Sequence, residues 1–216
     1  IDAYLYMRRQ YCAARALFET TGNWLNGSIH NVSGRIVFCD LSYENGASGL
    51  AFTDICKRMS HLDLVYLGIY STKEMKQMSE AFFNTEEYKC TTCIYYPRLG
   101  AVSPQFWNSH ALLSELIIFN LSNLFDRISP QEARSLAQDI NQLVHARPLN
   151  HYVTIYRDDA GTRMNNHAYN VFCSHLTKEL RPLNEQMPLQ GKLYYAKNGR
   201  NIPTDETFLY EIRSNQ

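Results

Sequence analysis

Three polar side chains follow apolar runs in this chain of 216 residues. Asp40 ends R-I-V-F-C-D, Tyr70 ends L-V-Y-L-G-I-Y, and Asn120 lies near the end of E-L-I-I-F-N-L. A carboxylate, a phenol and a carboxamide brought together could orient a ligand or a reacting group by hydrogen bonds. Asp40 could equally bond the backbone of the loop that follows it or cap its turn, so both kinds of role stay open.

The elements that must position these side chains alternate between short apolar runs and helical patterns through residues 35–156. This alternation predicts a parallel sheet with helices on both faces. Strands are predicted at residues 35–41, 62–70, 90–96, 115–121 and 151–156, followed by two closing strands at 192–196 and 207–213. Helices are predicted at 2–19, 50–59, 106–113 and 166–180, and capping boxes at 71–74 and 129–132 begin two more. Ligands of such sheets bind at the carboxyl ends of the strands, so residues 40–46 and 70 are expected to meet at one rim.

Composition describes one globular domain with no strong charge bias. Hydrophobic residues make up 45% and charged residues 19%, and 21 basic residues balance 21 acidic ones. No overall field therefore favours nucleic acid or an anionic membrane, and apolar stretches of about ten residues are too short to cross a bilayer. The six cysteines lack a disulfide framework spacing, which favours reduced thiols and a cytoplasmic location. Cys90 and Cys93 form a C-x-x-C without the second pair that a zinc site needs, so no metal is predicted.

From about Arg35 to the C-terminus, the order of these elements resembles a class I S-adenosylmethionine (SAM)-dependent methyltransferase. Val37–Phe52 resembles the family's first strand and its loop, and Leu64–Met75 resembles the second strand. Glu115–Glu132 resembles the fourth strand, and Ala146–Asp158 resembles the turn into the fifth strand. The resemblance implies a three-layer Rossmann-like α/β fold with a mostly parallel seven-stranded sheet, an antiparallel last strand and helices on both faces. It also implies a single domain, in which residues 1–30 form an N-terminal helical extension or lid and residues 35–216 form the core.

The resemblance further implies that SAM lies across the carboxyl ends of the first two strands. The residues that it places in contact with the cofactor are Asp40, Ser42, Tyr43, Gly46, Tyr70, Ser71, Met75, Tyr96 and Asn120. The loop departs from the family's D-x-G-x-G-x-G, because Ser42 and Glu44 replace the first two glycines and only Gly46 remains. Tyr70 stands where the family has an acid that accepts hydrogen bonds from both ribose hydroxyls. Loss of that charge-assisted contact costs about 1.5–3 kcal/mol.

Two functions compete on this basis. The first is methyl transfer from SAM to a small-molecule or protein acceptor, with Asn120 and Ser122 as the catalytic candidates in N-L-S-N-L-F. Amino-methylating members carry N-P-P-[YF] at this place, and both prolines are missing here, so the pattern does not indicate methylation of a nucleic-acid base. The second function is a catalytically inactive pseudo-methyltransferase that serves as a protein-interaction or regulatory module. A different nucleotide in the same crevice is a third interpretation.

Overall fold

The computed structural model describes residues 2–21, 35–42, 46–57, 63–70, 72–88, 92–111, 114–158, 166–184, 187–197 and 200–215. The helices within these ranges are α1 (Asp2–Thr20), α2 (Ala47–Cys56), α3 (Lys73–Phe83), α4 (Pro104–Phe106), α5 (Pro130–Ala146) and α6 (His167–His175). The strands are β1 (Arg35–Asp40), β2 (Asp63–Ile69), β3 (Thr92–Tyr96), β4 (Ser114–Asn120), β5 (His151–Asp158), β6 (Arg181–Pro182), β7 (Met187–Lys197) and β8 (Arg200–Ser214). A 3-10 turn spans Leu99–Ala101, and a π-helical turn, Trp107–Ala111, continues α4.

The strands form one sheet in the order β3-β2-β1-β4-β5-β8-β6. Strands β1 to β5 pair in parallel, whereas β8 runs antiparallel to both β5 and β6. This arrangement confirms the predicted mostly parallel sheet with an antiparallel closing strand. Strand β7 pairs with β8 outside the seven-strand path, as the predicted closing hairpin. The two-residue strand β6 was not predicted, because two residues are too few to show a periodic pattern.

Helices cover both faces of the sheet, as predicted. Residues alternate between the faces along each strand, so that Ile36 and Phe38 pack with α1 and α2 while Val37 and Cys39 pack with α5 and α6. Because both faces of β1 are buried, the strand reads as a continuous apolar run rather than as an alternating one. None of the helices within the described ranges combines the length and the apolar character that crossing a membrane requires.

Helix ends are set partly by local sequence and partly by neighbouring elements. The predicted capping box of α5 is confirmed, since Ser129 Oγ accepts from Glu132 N at 3.2 Å and Glu132 Oε2 accepts from Ser129 N at 2.7 Å. Helix α3 begins one residue later than predicted, because Thr72 rather than Ser71 is its N-cap and accepts from Met75 N.

Helix α6 ends at His175 instead of continuing to residue 180. The side chain of Asn141, on α5, donates to His175 O at 2.8 Å and accepts from Thr177 N at 2.7 Å. These two backbone groups are therefore bonded to a neighbouring helix at the point where a longer helix would have continued. The predicted helix at 106–113 begins earlier, at Pro104, with Ser103 as its N-cap.

Candidate functional site

A buried hydrogen-bond network surrounds the carboxylate of Asp40, which is 1% exposed at the end of β1. Oδ1 accepts from Ser42 N at 3.1 Å, from Ser42 Oγ at 2.6 Å and from Asn120 Nδ2 at 2.9 Å. Oδ2 accepts from the Tyr66 hydroxyl at 2.8 Å. Ser122 Oγ extends the network by donating to Asn120 Oδ1 at 2.7 Å. Both oxygens of Asp40 are therefore engaged by the protein itself, and the network joins the carboxyl ends of β1 and β4 to the middle of β2.

Tyr66 links Asp40 to Tyr70. The hydroxyl oxygens of Tyr66 and Tyr70 are 2.6 Å apart and share a hydrogen bond. The expected meeting of Asp40 and Tyr70 at one rim of the sheet is thus confirmed through the Tyr66 hydroxyl. Gly68 lies between the two tyrosines, and a Cβ there would be 2.4 Å from Tyr70 Cε2 and 2.7 Å from Tyr95 Cδ1. Only glycine leaves room for both rings at this position.

The glycines after β1 are also explained by packing within the chain. Gly46 is the N-cap of α2 with a φ of 84°, in the left-handed region that favours glycine. A Cβ at Gly46 would lie 2.7 Å from Ser79 Oγ, and one at Gly49 would lie 2.1 Å from Tyr66 Cε2. The space that these glycines leave open is therefore occupied by Tyr66 and Ser79.

Burial controls the ionisation of this network. Desolvation raises the pKa of Asp40, while hydrogen bonds from Ser42, Asn120 and Tyr66 to its carboxylate lower that pKa. Burial also raises the pKa of Tyr66 and of Tyr70, and the nearby Asp40 charge adds to both shifts. The two phenols therefore keep their protons at neutral pH and can act as hydrogen-bond donors.

A cavity of about 310 Å³ opens beside this network at the carboxyl ends of the strands. Its walls come from the residues that follow β1, β2, β3 and β4 and from one side of α5. The lining residues are Leu41, Ser42, Ile69, Met75, Pro97, Arg98, Leu99, Leu124, Ile128, Glu132, Ser135, Leu136 and Asp139. Most of these are apolar, and the volume lies in the range of small-molecule sites.

The polar side of the cavity is contributed mainly by α5. Glu132, Ser135 and Asp139 follow helical spacing along one stripe of this helix. The Asp139 carboxylate lies close to the backbone of Gly100, because a Cβ at Gly100 would lie 2.9 Å from Asp139 Oδ2. Burial raises the pKa of Asp139, while the Gly100 N–H and the charge of Arg98 lower it.

Most of the predicted site residues lie in the buried network or beside the cavity. Asp40, Ser42, Tyr70, Asn120 and Ser122 belong to the buried network, and Ser42 also lines the cavity together with the predicted Met75. Gly46 packs against the network, and the hydroxyl of Tyr96 is 3.1 Å from Ser103 Oγ. Tyr43 and Ser71 lie outside the described residues. The assigned cofactor contacts and the catalytic roles of Asn120 and Ser122 stay predictions.

Sequence reasoning missed Tyr66 and Asp139. One signal for Tyr66 was available, because Y-L-G-I-Y on a strand puts Tyr66, Gly68 and Tyr70 on the same face. For Asp139, the signal was the spacing of polar residues beside the apolar stripe of α5. In neither case does the spacing by itself show which group the side chain bonds.

No protein-family model matches the chain, and no curated protein matches it. A solved structure described as "Conversion of a Disulfide Bond into a Thioacetal Group during Echinomycin Biosynthesis" is similar to it with a TM-score of 0.53 and 9% identity, over 93% of this chain and 81% of that chain. The YcgJ protein from Bacillus subtilis has a TM-score of 0.47 and 10% identity, over 92% of this chain and 98% of that chain. A SAM-dependent methyltransferase from Agrobacterium tumefaciens has a TM-score of 0.47 and 10% identity, over 92% and 62%. At these identities the likeness concerns the fold alone: the chain shares the α/β fold of the first of these structures, with a mostly parallel sheet and an antiparallel closing strand.

Proposed function

We propose that this chain binds S-adenosylmethionine at the carboxyl ends of β1 to β4 and transfers its methyl group to a small-molecule or protein acceptor. The observation that carries the proposal is the cavity of about 310 Å³ at this edge of the sheet. Ligands of open α/β sheets bind outside the carboxyl ends of the strands, beside the switch in strand order, and β1 stands at that switch between β2 and β4. The resemblance of the sequence to class I methyltransferases, which implied an antiparallel last strand such as β8, supports the same proposal.

The lining of the cavity suits an adenosyl group. Adenine has two apolar faces and a polar edge, and the apolar side chains Ile69, Leu99 and Leu136 supply surfaces for such faces. SAM supplies an already activated methyl donor, so the protein mainly has to provide position and the exclusion of water. In this chain the apolar walls would exclude water, and Ser42 would offer a hydroxyl where the cavity meets the Asp40 network.

The network also sets an expectation for affinity. Both oxygens of Asp40 already accept hydrogen bonds, and Tyr70 supplies a phenol bonded to Tyr66 rather than a carboxylate. A missing bidentate, charge-assisted contact costs about 1.5–3 kcal/mol, which is roughly ten- to a hundred-fold in affinity. We therefore expect a dissociation constant for SAM in the micromolar range or weaker.

Calorimetric titration with SAM and with S-adenosylhomocysteine tests the proposal. Ser135→Trp puts a large ring at an exposed position that lines the cavity, whereas Gln138→Trp puts the same ring on α5 outside the lining. The wild type and Gln138→Trp are expected to bind both ligands, and Ser135→Trp is expected to lose binding while its melting temperature stays close to that of Gln138→Trp. Absence of binding to the wild type at high ligand concentration would contradict the proposal.

A non-catalytic interaction or regulatory module is the second candidate. The observation that favours it is the saturation of Asp40, together with the inward hydrogen bond of Tyr70, since these groups then serve the protein's own structure. Transfer of labelled methyl groups from SAM to small-molecule and protein acceptor pools separates the two candidates. Binding of SAM without turnover on either pool favours the module.

The proposal includes a cytoplasmic location. It rests on the spacing of the six cysteines, which shows no disulfide framework. Those within the described ranges, Cys12, Cys39, Cys56, Cys93 and Cys173, form no disulfide bond with one another. Fractionation of cells that produce the full chain would test the location directly.

A further inference from the structure

A second cavity, of about 230 Å³, lies between α5 and the segment that follows β3. It shares two lining residues, Leu99 and Asp139, with the cavity proposed for SAM. None of the described residues that were predicted to contact SAM lines it. Its lining residues are Leu99, Gly100, Val102, Pro104, Trp107, Asp139, Gln142, Leu143, Ala146 and Arg147. The second cavity therefore adjoins the first but is formed by a different set of side chains.

The guanidinium of Arg147 lines this cavity and uses few of its hydrogen-bond donors. A guanidinium has five N–H donors. Within the described residues, the Arg147 side chain donates one hydrogen bond, from Nη2 to Asn108 Oδ1 at 2.8 Å. Its Nε is buried and has no hydrogen-bond partner there. Because buried donors are normally hydrogen-bonded, this N–H group requires an acceptor that the described part of the chain does not supply.

The charge of Arg147 also lacks a carboxylate partner in the part of the chain that the structure describes. Asp139 lines the same cavity, but it lies eight residues earlier on α5, or about 12 Å along the axis. The cation whose charge acts on Asp139 is Arg98. As the C-cap of α5, Arg147 is a cation at a helix C-terminus, where a positive charge is favourable. That position explains the charge, but it does not explain the buried Nε without an acceptor.

Apolar side chains form much of the remaining wall. Trp107 is 8% exposed, and its ring packs edge-on against Phe106 with the ring centroids 5.0 Å apart. Val102 and Leu143 are also buried and line the cavity. A ligand that suits this lining carries one acceptor group of negative charge for the guanidinium and an apolar body for these side chains. A second negative charge would be disfavoured, because Asp139 lies in the same wall.

We propose that the second cavity binds a small monocarboxylate with an apolar body. The carboxylate accepts hydrogen bonds from the Arg147 guanidinium, whose planar fork matches a carboxylate in geometry, and the apolar body packs against Trp107. This inference goes beyond the proposed function and does not depend on the binding of SAM.

Titration with benzoate, followed by the indole N–H signals in nuclear magnetic resonance spectra of the labelled protein, tests the proposal. The chain has two tryptophans, Trp24 and Trp107, so Trp24→Phe assigns the two signals. Benzoate is expected to shift the Trp107 signal to saturation. Benzamide keeps the ring without the charge and is expected to bind about tenfold more weakly or less, the range of a hydrogen bond to a charged group. No saturable shift with benzoate, or equal affinity for benzamide, would overturn the inference.

Arg147→Gln tests the guanidinium directly. It is expected to weaken benzoate binding by about tenfold or more and to leave benzamide binding nearly unchanged. Arg134→Gln is the matched control, because it removes the same charge from an exposed position of α5 outside the lining. This control is expected to bind benzoate like the wild type. Equal affinities of the two variants for benzoate would contradict the assignment of Arg147.

A second pair of variants keeps the test decisive if Arg147→Gln does not fold. Gln142 and Gln138 are both exposed on α5, but only Gln142 lines the second cavity. Gln142→Phe is expected to lose benzoate binding, whereas Gln138→Phe is expected to keep it, and retention in both would place the ligand elsewhere and refute the inference. Displacement of benzoate by inorganic phosphate at equal concentration would show a general anion site and would likewise refute the assignment of a monocarboxylate.

Discussion

Replacing Tyr66 with phenylalanine removes one hydroxyl from the buried network and leaves the ring in place. The lost hydroxyl donates to Asp40 Oδ2 at 2.8 Å and shares a hydrogen bond with Tyr70 at 2.6 Å. Among the described residues, Asp40 Oδ2 has no other recorded side-chain donor. The variant therefore leaves a buried carboxylate oxygen without its hydrogen bond.

The expected loss follows from the charge of the acceptor. A hydrogen bond to an ionised group contributes about 1.5–3 kcal/mol, which for a domain of this length lowers the melting temperature by roughly 3–12 °C. Tyr152→Phe is the matched control, because Tyr152 is also fully buried but donates to the neutral carbonyl oxygens of Leu143 and Arg147 at 3.2 and 3.0 Å. Its loss is expected to be about 0.5–1.5 kcal/mol.

The pH dependence gives a second, independent readout. Burial raises the pKa of Asp40 in the folded state, so stability is lost as the pH rises from the unfolded pKa through the folded one. Tyr66→Phe removes a bond that favours the charged form and should raise the folded pKa of Asp40 further. The difference in unfolding free energy between wild type and variant is then complete above the folded pKa and shrinks as the pH falls through it.

Urea denaturation of the three proteins across a pH series measures both effects. The reasoning is refuted if Tyr66→Phe and Tyr152→Phe lose the same free energy of unfolding at neutral pH. It is also refuted if the loss in Tyr66→Phe stays constant into the acid range.

Four further substitutions test local features of the fold by the same measurement. Gly46→Ala forces a left-handed φ of 84° on alanine and puts a Cβ 2.7 Å from Ser79 Oγ; we expect a loss of about 2 kcal/mol, and a loss below about 0.5 kcal/mol would contradict this. Gly100→Ala puts a Cβ 2.9 Å from Asp139 Oδ2 and should cost about 1–3 kcal/mol, whereas an unchanged stability would show that the carboxylate moves freely. Ser129→Ala removes the N-cap of α5 and should cost about 1 kcal/mol, while Glu132→Gln, which keeps a capping-box residue, should cost clearly less.

Much of the fold was accessible from local pattern. Apolar runs and capping residues predicted the positions of β1 to β5 and the start of α5. A strand buried on two faces requires a short run of apolar residues, and a helix start requires capping residues within one turn. The end of α6 was not predictable in this way, since the Asn141 side chain that bonds His175 and Thr177 comes from another helix. The start of α3 was misplaced because two adjacent hydroxyl residues satisfy the same local rule.

The candidate site, like the fold, was predictable from the sequence only in part. The sequence indicated that polar groups at the ends of β1, β2 and β4 would share one edge, because alternation of strands and helices requires parallel pairing. It could not assign the partners, because those depend on strand order and register. Asp40 stands opposite Gly68 on one neighbour and opposite Asn120 on the other.

The sequence by itself determined an α/β sheet with a polar edge and helices on both faces. Only the tertiary structure decided that Asp40 is bonded within the protein, that Tyr66 joins it to Tyr70, and that the open cavity presents Asp139 instead. The physical reason is that hydrogen bonds form between groups within about 3 Å of each other, and Asp40 and Asn120 are 80 residues apart in the chain. Such groups come within that distance because the sheet packs their strands side by side, and the local sequence does not determine this.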